Sequence, residues 1–244
     1  MDIAGTVVKI NSQTTGRDKL CRIVQYGSKF IWWYLQSKPN NEEFVKKFKH
    51  LEYSISTTRK VLRFAKSFDI LLSALRTVRL DDFTLRLLVT LSKISQALYL
   101  IVDNIILLNR LKLVPIDLQS WSQLSNKYWL MMLILNLTRD INEIYVSIMR
   151  EIVYEEKKNE IVGKHSGNRV KPKTHTWSQI IVKCLIENKV ILLDSVKNSC
   201  DIVLPLSSLG YIAPNSGIQG LCGVVSSILG IIPVIDPMFK LIPS

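Results

Sequence analysis

From Ile202 to Ile235 the chain carries no charged residue, although the molecule as a whole has a formal net charge of +12. A bilayer hydrocarbon core about 30 Å thick requires roughly 20 apolar residues in a helix. Residues 217–235 (GIQGLCGVVSSILGIIPVI) approach that length and read as a Gly-rich membrane segment. A buried helix of a soluble domain has similar hydropathy, but in a water-exposed helix each Gly costs about 1 kcal/mol and Pro more. In lipid, small residues instead let two helices approach closely, because packing drives their association there. Gly217, Gly220 and Gly223, followed by Ser226 and Ser227, therefore mark a helix–helix packing face, serving either a homo-oligomer or a contact inside one monomer.

Charged residues make up 21% of the chain and lie mainly before the uncharged run, which separates it from polytopic transporters built of continuous apolar spans. An apolar fraction of 48% excludes wholesale disorder. The N-terminal MDIAGTVVKI lacks the basic region, apolar run and cleavage site of a secretory signal, and the C-terminal LIPS matches no peroxisomal matrix or prenylation signal. Cys21, Cys184, Cys200 and Cys222 show no CxxC pairing, and His50, His165 and His175 are scattered. Neither a disulfide framework nor a metal site is expected, and no cofactor.

Apolar residues recur at spacings of three and four, and strand-like alternation is scarce, so the fold class is all-α: a membrane-associated bundle of long amphipathic helices. We expect helices over 15–36, from a cap at Asn41 onward, and over 121–154. A polar, lysine-rich linker is expected at 155–176 and a helix at 177–203, leading to the membrane segment. Region 1–154 is thereby separated from 177–244 by the linker. Residues 85–108 are strongly apolar but contain Lys93 and Asp103, and read either as a span with those charges facing inward or as a helix at the interface.

Residues 51–78 carry the sharpest periodicity. Val61, Phe64, Phe68, Leu71, Leu75 and Val78 form one stripe, while Arg59, Arg63 and Lys66 fall opposite; Lys60 and Arg79 lie nearer the stripe and would snorkel. Most such stripes serve intramolecular packing, but a basic amphipathic helix is also the form that enters one leaflet of a membrane.

Several stretches in order resemble the peroxin-eleven family of peroxisomal membrane proteins. They are GRDKLCRIVQYGSKFIWWYL at 16–35, LEYSISTTRKVLRFAKSFDIL at 51–71, LRLLVTLSKISQALYLIVDNIILL at 85–108, Trp129 with Arg139-Asp140, and GIQGLCGVVSSILGI at 217–231. The linker carries no resemblance, and residues 112–119 diverge. The resemblance implies a peroxisomal membrane protein with both termini toward the cytosol that self-associates, elongates the membrane and recruits fission machinery and adaptors. With the resemblance, the 51–78 stripe is expected to insert, with Val61, Phe64, Phe68, Leu71, Leu75 and Val78 as the insertion face and Arg59, Lys60, Arg63 and Lys66 contacting anionic phospholipids.

The residues oppose other functions. No phosphate loop, nucleophile elbow or His-Glu metal motif is present, and Asp81-Asp82 read as a helix start, so no enzymatic activity is expected. The basic charge is spread without a recognition-helix or RNA-binding pattern, which argues against a nucleic-acid partner. A pore for small metabolites, with Lys93 and Asp103 lining an aqueous path, is the alternative function.

Overall fold

The computed structural model describes residues 3–165 and 177–241, which are helical wherever they are regular and contain no strand. A short α1 (Ile3–Ser12) precedes α2 (Thr14–Gln36). Pro39 and the left-handed Asn40 (φ 63°) then reverse the chain, Asn being among the few residues that enter this region readily. Next come α3 (Glu42–Leu62), α4 (Lys66–Thr77), α5 (Phe83–Arg110) and α6 (Leu118–His165). The C-terminal part contributes α7 (Trp177–Glu187), α8 (Lys189–Ser208) and α9 (Ser216–Ile235), followed by a 3₁₀ turn at Pro237–Phe239.

These helices close into a ring. Helix α2 lies between α9 and α3; α5 lies between α4 and α6 and also touches α3; α8 joins α6 to α9. Helix α1 bridges α2 and α9 at one end, where Lys9 Nζ donates to the Ile235 carbonyl at 2.6 Å. The C-terminal helices thus complete the same bundle that the N-terminal helices begin. Helices α5 and α9, with 28 and 20 residues, are long and apolar enough to cross a bilayer, at roughly 42 and 30 Å.

Local signals explain most boundaries. Asp82 Oδ1 accepts from the Leu85 amide at 3.1 Å and Asn215 Oδ1 from the Ile218 amide at 2.8 Å, capping α5 and α9. Asn41 occupies the cap position of α3 as expected, but its side chain makes no capping bond.

Three expected elements differ. The helix expected over 51–78 is broken at Arg63–Ala65, where Ala65 is left-handed (φ 59°), because the Arg63 side chain turns inward to α5 while the chain redirects into α4. The helix expected over 177–203 is two helices joined at Asn188, whose Nδ2 donates to Ser147 Oγ and to the Cys184 carbonyl, both at 2.8 Å. The linker expected at 155–176 begins as helix, since α6 continues to His165. Glu and Lys are strong helix formers, so a run such as EEKKNE prolongs a solvated helix as readily as it makes a loop. Residues 166–176, including His175, lie outside the described residues.

The small-residue face of α9 packs on α2 within the chain. A Cβ on Gly217 would sit 2.4 Å from Trp33 Cε3, one on Gly220 2.8 Å from the Phe30 amide nitrogen, and one on Gly223 2.2 Å from Tyr26 Cγ. As positions rise along α9 their contacts fall along α2, so the pair is antiparallel and held in register by these glycines. Ser226 and Ser227 are fully buried in the same helix, with Ser226 Oγ donating to the Gly223 carbonyl at 3.2 Å. Of the two contacts expected for this face, oligomer or intrachain, the structure shows the intrachain one, with α2 filling the face by antiparallel close packing. Gly27, in contrast, has nothing within 4 Å of a built Cβ. Gly27→Ala should raise stability by ~1 kcal/mol through helix propensity, while Gly220→Ala should lower it by ~1–3 kcal/mol through overpacking. Thermal unfolding of the two variants in the same detergent checks this opposition of sign.

Candidate functional site

The polarity of the bundle is inverted relative to a water-soluble protein. Large apolar side chains cover its outer surface, among them Val24 and Ile31 of α2, Leu98 and Ile101 of α5, Ile134 and Ile141 of α6, and Ile218, Leu221, Val225 and Ile228 of α9. The interior holds charged groups beside apolar ones such as Val89, Leu100, Ile106 and Leu133: Asp18, Arg22, Arg59, Lys60, Lys93, Asp103, Arg139, Asp140 and Asp201 are all buried.

The buried charges connect the ring helix to helix. Arg22 binds Asp201 with both terminal nitrogens, at 2.5 and 3.3 Å, joining α2 to α8. Arg59 donates to Asp18 at 3.0 Å and to Gln25 at 2.7 Å, joining α3 to α2. Asp103 of α5 receives both Lys60 and Arg63 of α3, the latter at 2.9 Å, and Arg63 also donates to the Tyr99 hydroxyl at 2.7 Å. Arg139 of α6 bridges its neighbour Asp140 (2.7 Å) and Asp194 of α8 (2.5 Å), and Asp194 also takes Lys197. Ser92 donates to Asn136 at 2.5 Å between α5 and α6. Removing one partner of such a buried pair typically costs 3–5 kcal/mol, because the other charge is left uncompensated.

Between these groups lies a cavity of about 670 Å³ lined by all five ring helices that carry the charges. Its wall presents eleven Lys and Arg side chains against four aspartates. Tyr99 and Trp129 stack at 5.9 Å across α5 and α6, and the Arg22 guanidinium lies 5.4 Å from the Tyr26 ring and 5.9 Å from the Trp129 ring.

The expected insertion face is exposed along its whole length: Val61, Phe64, Phe68, Leu71, Leu75 and Val78 form a ridge across the α3–α4 break, with Phe68 and Leu75 exposed at 68% and 67%. No other described part of the chain covers them. The expected lipid-contacting cations are placed differently. Arg59 and Lys60 are buried and Arg63 is ion-paired inward, so these three hold the bundle together and are not presented to headgroups, because their partners Asp18 of α2 and Asp103 of α5 lie on that face of α3. Lys66 donates to Thr15 Oγ1 at 3.2 Å. The cations left exposed beside the ridge are Arg76 and Arg79.

Most of the ionic network was not anticipated, yet it has a signal. Asp18, Arg22, Gln25 and Lys29 in α2, Glu52, Ser56, Arg59 and Arg63 in α3, and Ser92, Gln96, Tyr99 and Asp103 in α5 all recur at four, three and four residues. Each is a polar stripe with the period of a helix, the mirror image of an apolar stripe in a soluble bundle.

An α-helical membrane-protein architecture is defined by this combination of apolar exterior, ionic interior and two helices of spanning length. The comparisons with known proteins agree in detail. The family model described as peroxisomal biogenesis factor 11 (PEX11) matches residues 4–235. Peroxisomal membrane protein 11B of Bos taurus is 34% identical over 97% of this chain and 98% of its own length. Peroxisomal membrane protein 11A of the same species is 33% identical, covering 96% and 97%, and peroxisomal membrane protein PMP27 of Saccharomyces cerevisiae is 27% identical, covering 91% and 90%. No solved structure gives a match. The chain belongs to the peroxisomal biogenesis factor 11 family of peroxisomal membrane proteins.

One lumen residue yields a pH signature. Lys19 packs against the backbone of α9, its Nζ 2.9 Å from a Cβ built on Gly230. Burial, and then repulsion from Arg22 and Lys197, lower its ammonium to about 7 against the attraction of Asp201 and Asp18. Its ordinary value, 10.5, applies to the unfolded chain. Below pH 7 both states are protonated and the full penalty of the buried charge acts; between about 7 and 10.5 only the unfolded chain holds the proton, so stability rises with pH. Lys19→Gln should therefore melt at a higher temperature than the wild type below pH 7, with the gap closing toward pH 10. A gap independent of pH in thermal scans would exclude this account.

Proposed function

We propose that this protein remodels the peroxisomal membrane, elongating it ahead of fission by inserting the apolar ridge of α3 and α4 into one leaflet. The observation that carries the reading is that six apolar side chains, Val61, Phe64, Phe68, Leu71, Leu75 and Val78, stand exposed on a helix pair whose opposite face is locked into the bundle by Arg59, Lys60 and Arg63. A helix lying in the interface buries its apolar face about 5–10 Å into the leaflet and enlarges that leaflet relative to the other. Arg76 and Arg79 supply the contact with anionic headgroups, at about 1 kcal/mol each near the surface.

Two crossings, by α5 and α9, return the chain after α9 to the side from which it entered α5, in keeping with termini on one side of the membrane, which we take to be the cytosolic side. Self-association and recruitment of fission machinery and adaptors complete the reading. Self-association would use the outer wall, since the glycine face of α9 is occupied by α2. Phe64→Glu combined with Phe68→Glu should leave the protein in the peroxisomal membrane but abolish elongation in cells and tubulation of liposomes. Both positions are exposed, so the fold is retained. Normal elongation by this variant would refute insertion of the ridge.

A second reading, passage of small solutes, is favoured by the ionic lumen, because ionisable groups inside a membrane bundle characteristically line solute paths. It predicts single-channel conductance of the purified protein in planar bilayers, altered by Lys93→Ala on the lumen wall. Tubulation without any conductance would leave remodelling alone.

A further inference from the structure

The lumen is unbalanced in charge after all its internal pairs are counted. Each of its four aspartates is already engaged: Asp18 by Arg59 and Arg63, Asp103 by Lys60 and Arg63, Asp194 by Arg139 and Lys197, and Asp201 by Arg22. Lys19, Lys66, Lys93, Arg110 and Lys240 line the same cavity with no carboxylate at ion-pair distance among the described residues. Lys66 and Lys93 are met only by the hydroxyls of Thr15 and Ser73. Arg110 binds the hydroxyls of Ser56 and Thr57 and lies 4.6 Å from the Tyr53 ring, and its Nε is buried with no hydrogen-bond partner among the described residues.

Isolated cations out of bulk water are expensive unless compensated, and the four aspartates of this wall are already paired with other cations. Lys19 and Arg22 of α2, Lys197 of α8, Arg139 of α6 and Lys93 of α5 all line the one cavity, so its cations come from several walls. A cavity of about 670 Å³ falls in the range that holds small molecules.

We infer that the lumen is a binding site for a multiply charged phosphate-bearing anion, held by Lys19 of α2 and Lys93 of α5. Several cations lining one cavity favour a ligand with several negative charges over a monovalent one, and the lysine ammonium is a phosphate ligand that acts as a point charge. A phosphorylated lipid headgroup and a soluble phosphate compound share this chemistry.

The test uses the full-length protein in nanodiscs of phosphatidylcholine alone, titrated with inorganic pyrophosphate by calorimetry below pH 7, where the Lys19 ammonium is protonated. Saturable binding is expected, weakened by about tenfold or more in Lys19→Gln and in Lys93→Gln, and unchanged in Lys46→Gln on the exposed face of α3. Both lumen substitutions remove a cation that has no carboxylate at ion-pair distance, so without ligand each variant should unfold at or above the wild-type temperature below pH 7, which separates lost binding from lost fold. Nanodiscs doped with a phosphatidylinositol phosphate distinguish the sources. If the lipid competes and raises the apparent Kd of pyrophosphate, the ligand is a headgroup; if the Kd is unchanged, it is a soluble phosphate compound. No saturable binding to the wild type, or binding indifferent to both lumen lysines, overturns the assignment. Conduction is a separate readout: a lumen that binds pyrophosphate without conducting keeps this inference while removing the second functional reading.

Discussion

The ring of buried ion pairs is the constraint on which the remaining structure depends. Between apolar helices in lipid the hydrophobic effect does not choose a partner or a rotational phase, because lipid tails are as apolar as leucine. Asp103 receiving two cations from α3, Arg59 held by Asp18 of α2, Arg22 held by Asp201 of α8 and Arg139 held by Asp194 of α8 each set the rotation of one helix against another. Buried pairs of this kind contribute little net stability relative to apolar replacements. Their effect here is orientational: once every charge is turned inward, Ile101, Ile134, Ile141 and Leu221 are necessarily turned outward.

Close packing of α9 on α2 supplies what the ion pairs lack. The side chains of Trp33, Phe30 and Tyr26 occupy the space that Cβ atoms at Gly217, Gly220 and Gly223 would need, so the two helices approach more closely than leucines would allow and slide in neither direction. Dispersion contacts over such a seam are individually weak and collectively large. They fix the register of α9, and through Lys29 donating to Gln219 at 2.7 Å and Lys9 to the Ile235 carbonyl they tie both ends of α9 to the N-terminal helices.

The interior and the exposed ridge meet at one residue. Arg63 ends α3, and its side chain reaches Asp103, Asp18 and Tyr99 while its backbone begins the turn through Ala65 into α4. The direction in which Phe64, Phe68, Leu71 and Leu75 project is therefore set by the same charges that close the lumen. On the remodelling reading, the wedge is a rigid extension of the bundle, so its insertion is transmitted to α5 without first ordering a free helix.

Much of this was legible in the chain itself. The uncharged run ending at Ile235, the apolar stripe from Val61 to Val78 and the breaks at Pro39 and Asp82 are local properties, set by hydropathy, periodicity and capping, and the structure places helix ends within a few residues of them. The family was legible too, from ordered motifs over most of the chain. What local pattern could not convey was direction: a stripe has two faces, and whether its cations meet a membrane or an aspartate depends on residues far away, as with Lys60 and Asp103 or Arg22 and Asp201. The sequence by itself determined that the protein is helical, membrane-associated and capable of a glycine-mediated helix contact. Only the tertiary structure decided that Arg59, Lys60 and Arg63 point inward and that the glycines of α9 face α2, because the pairing of buried charges and the close fit of small residues are contacts between distant segments.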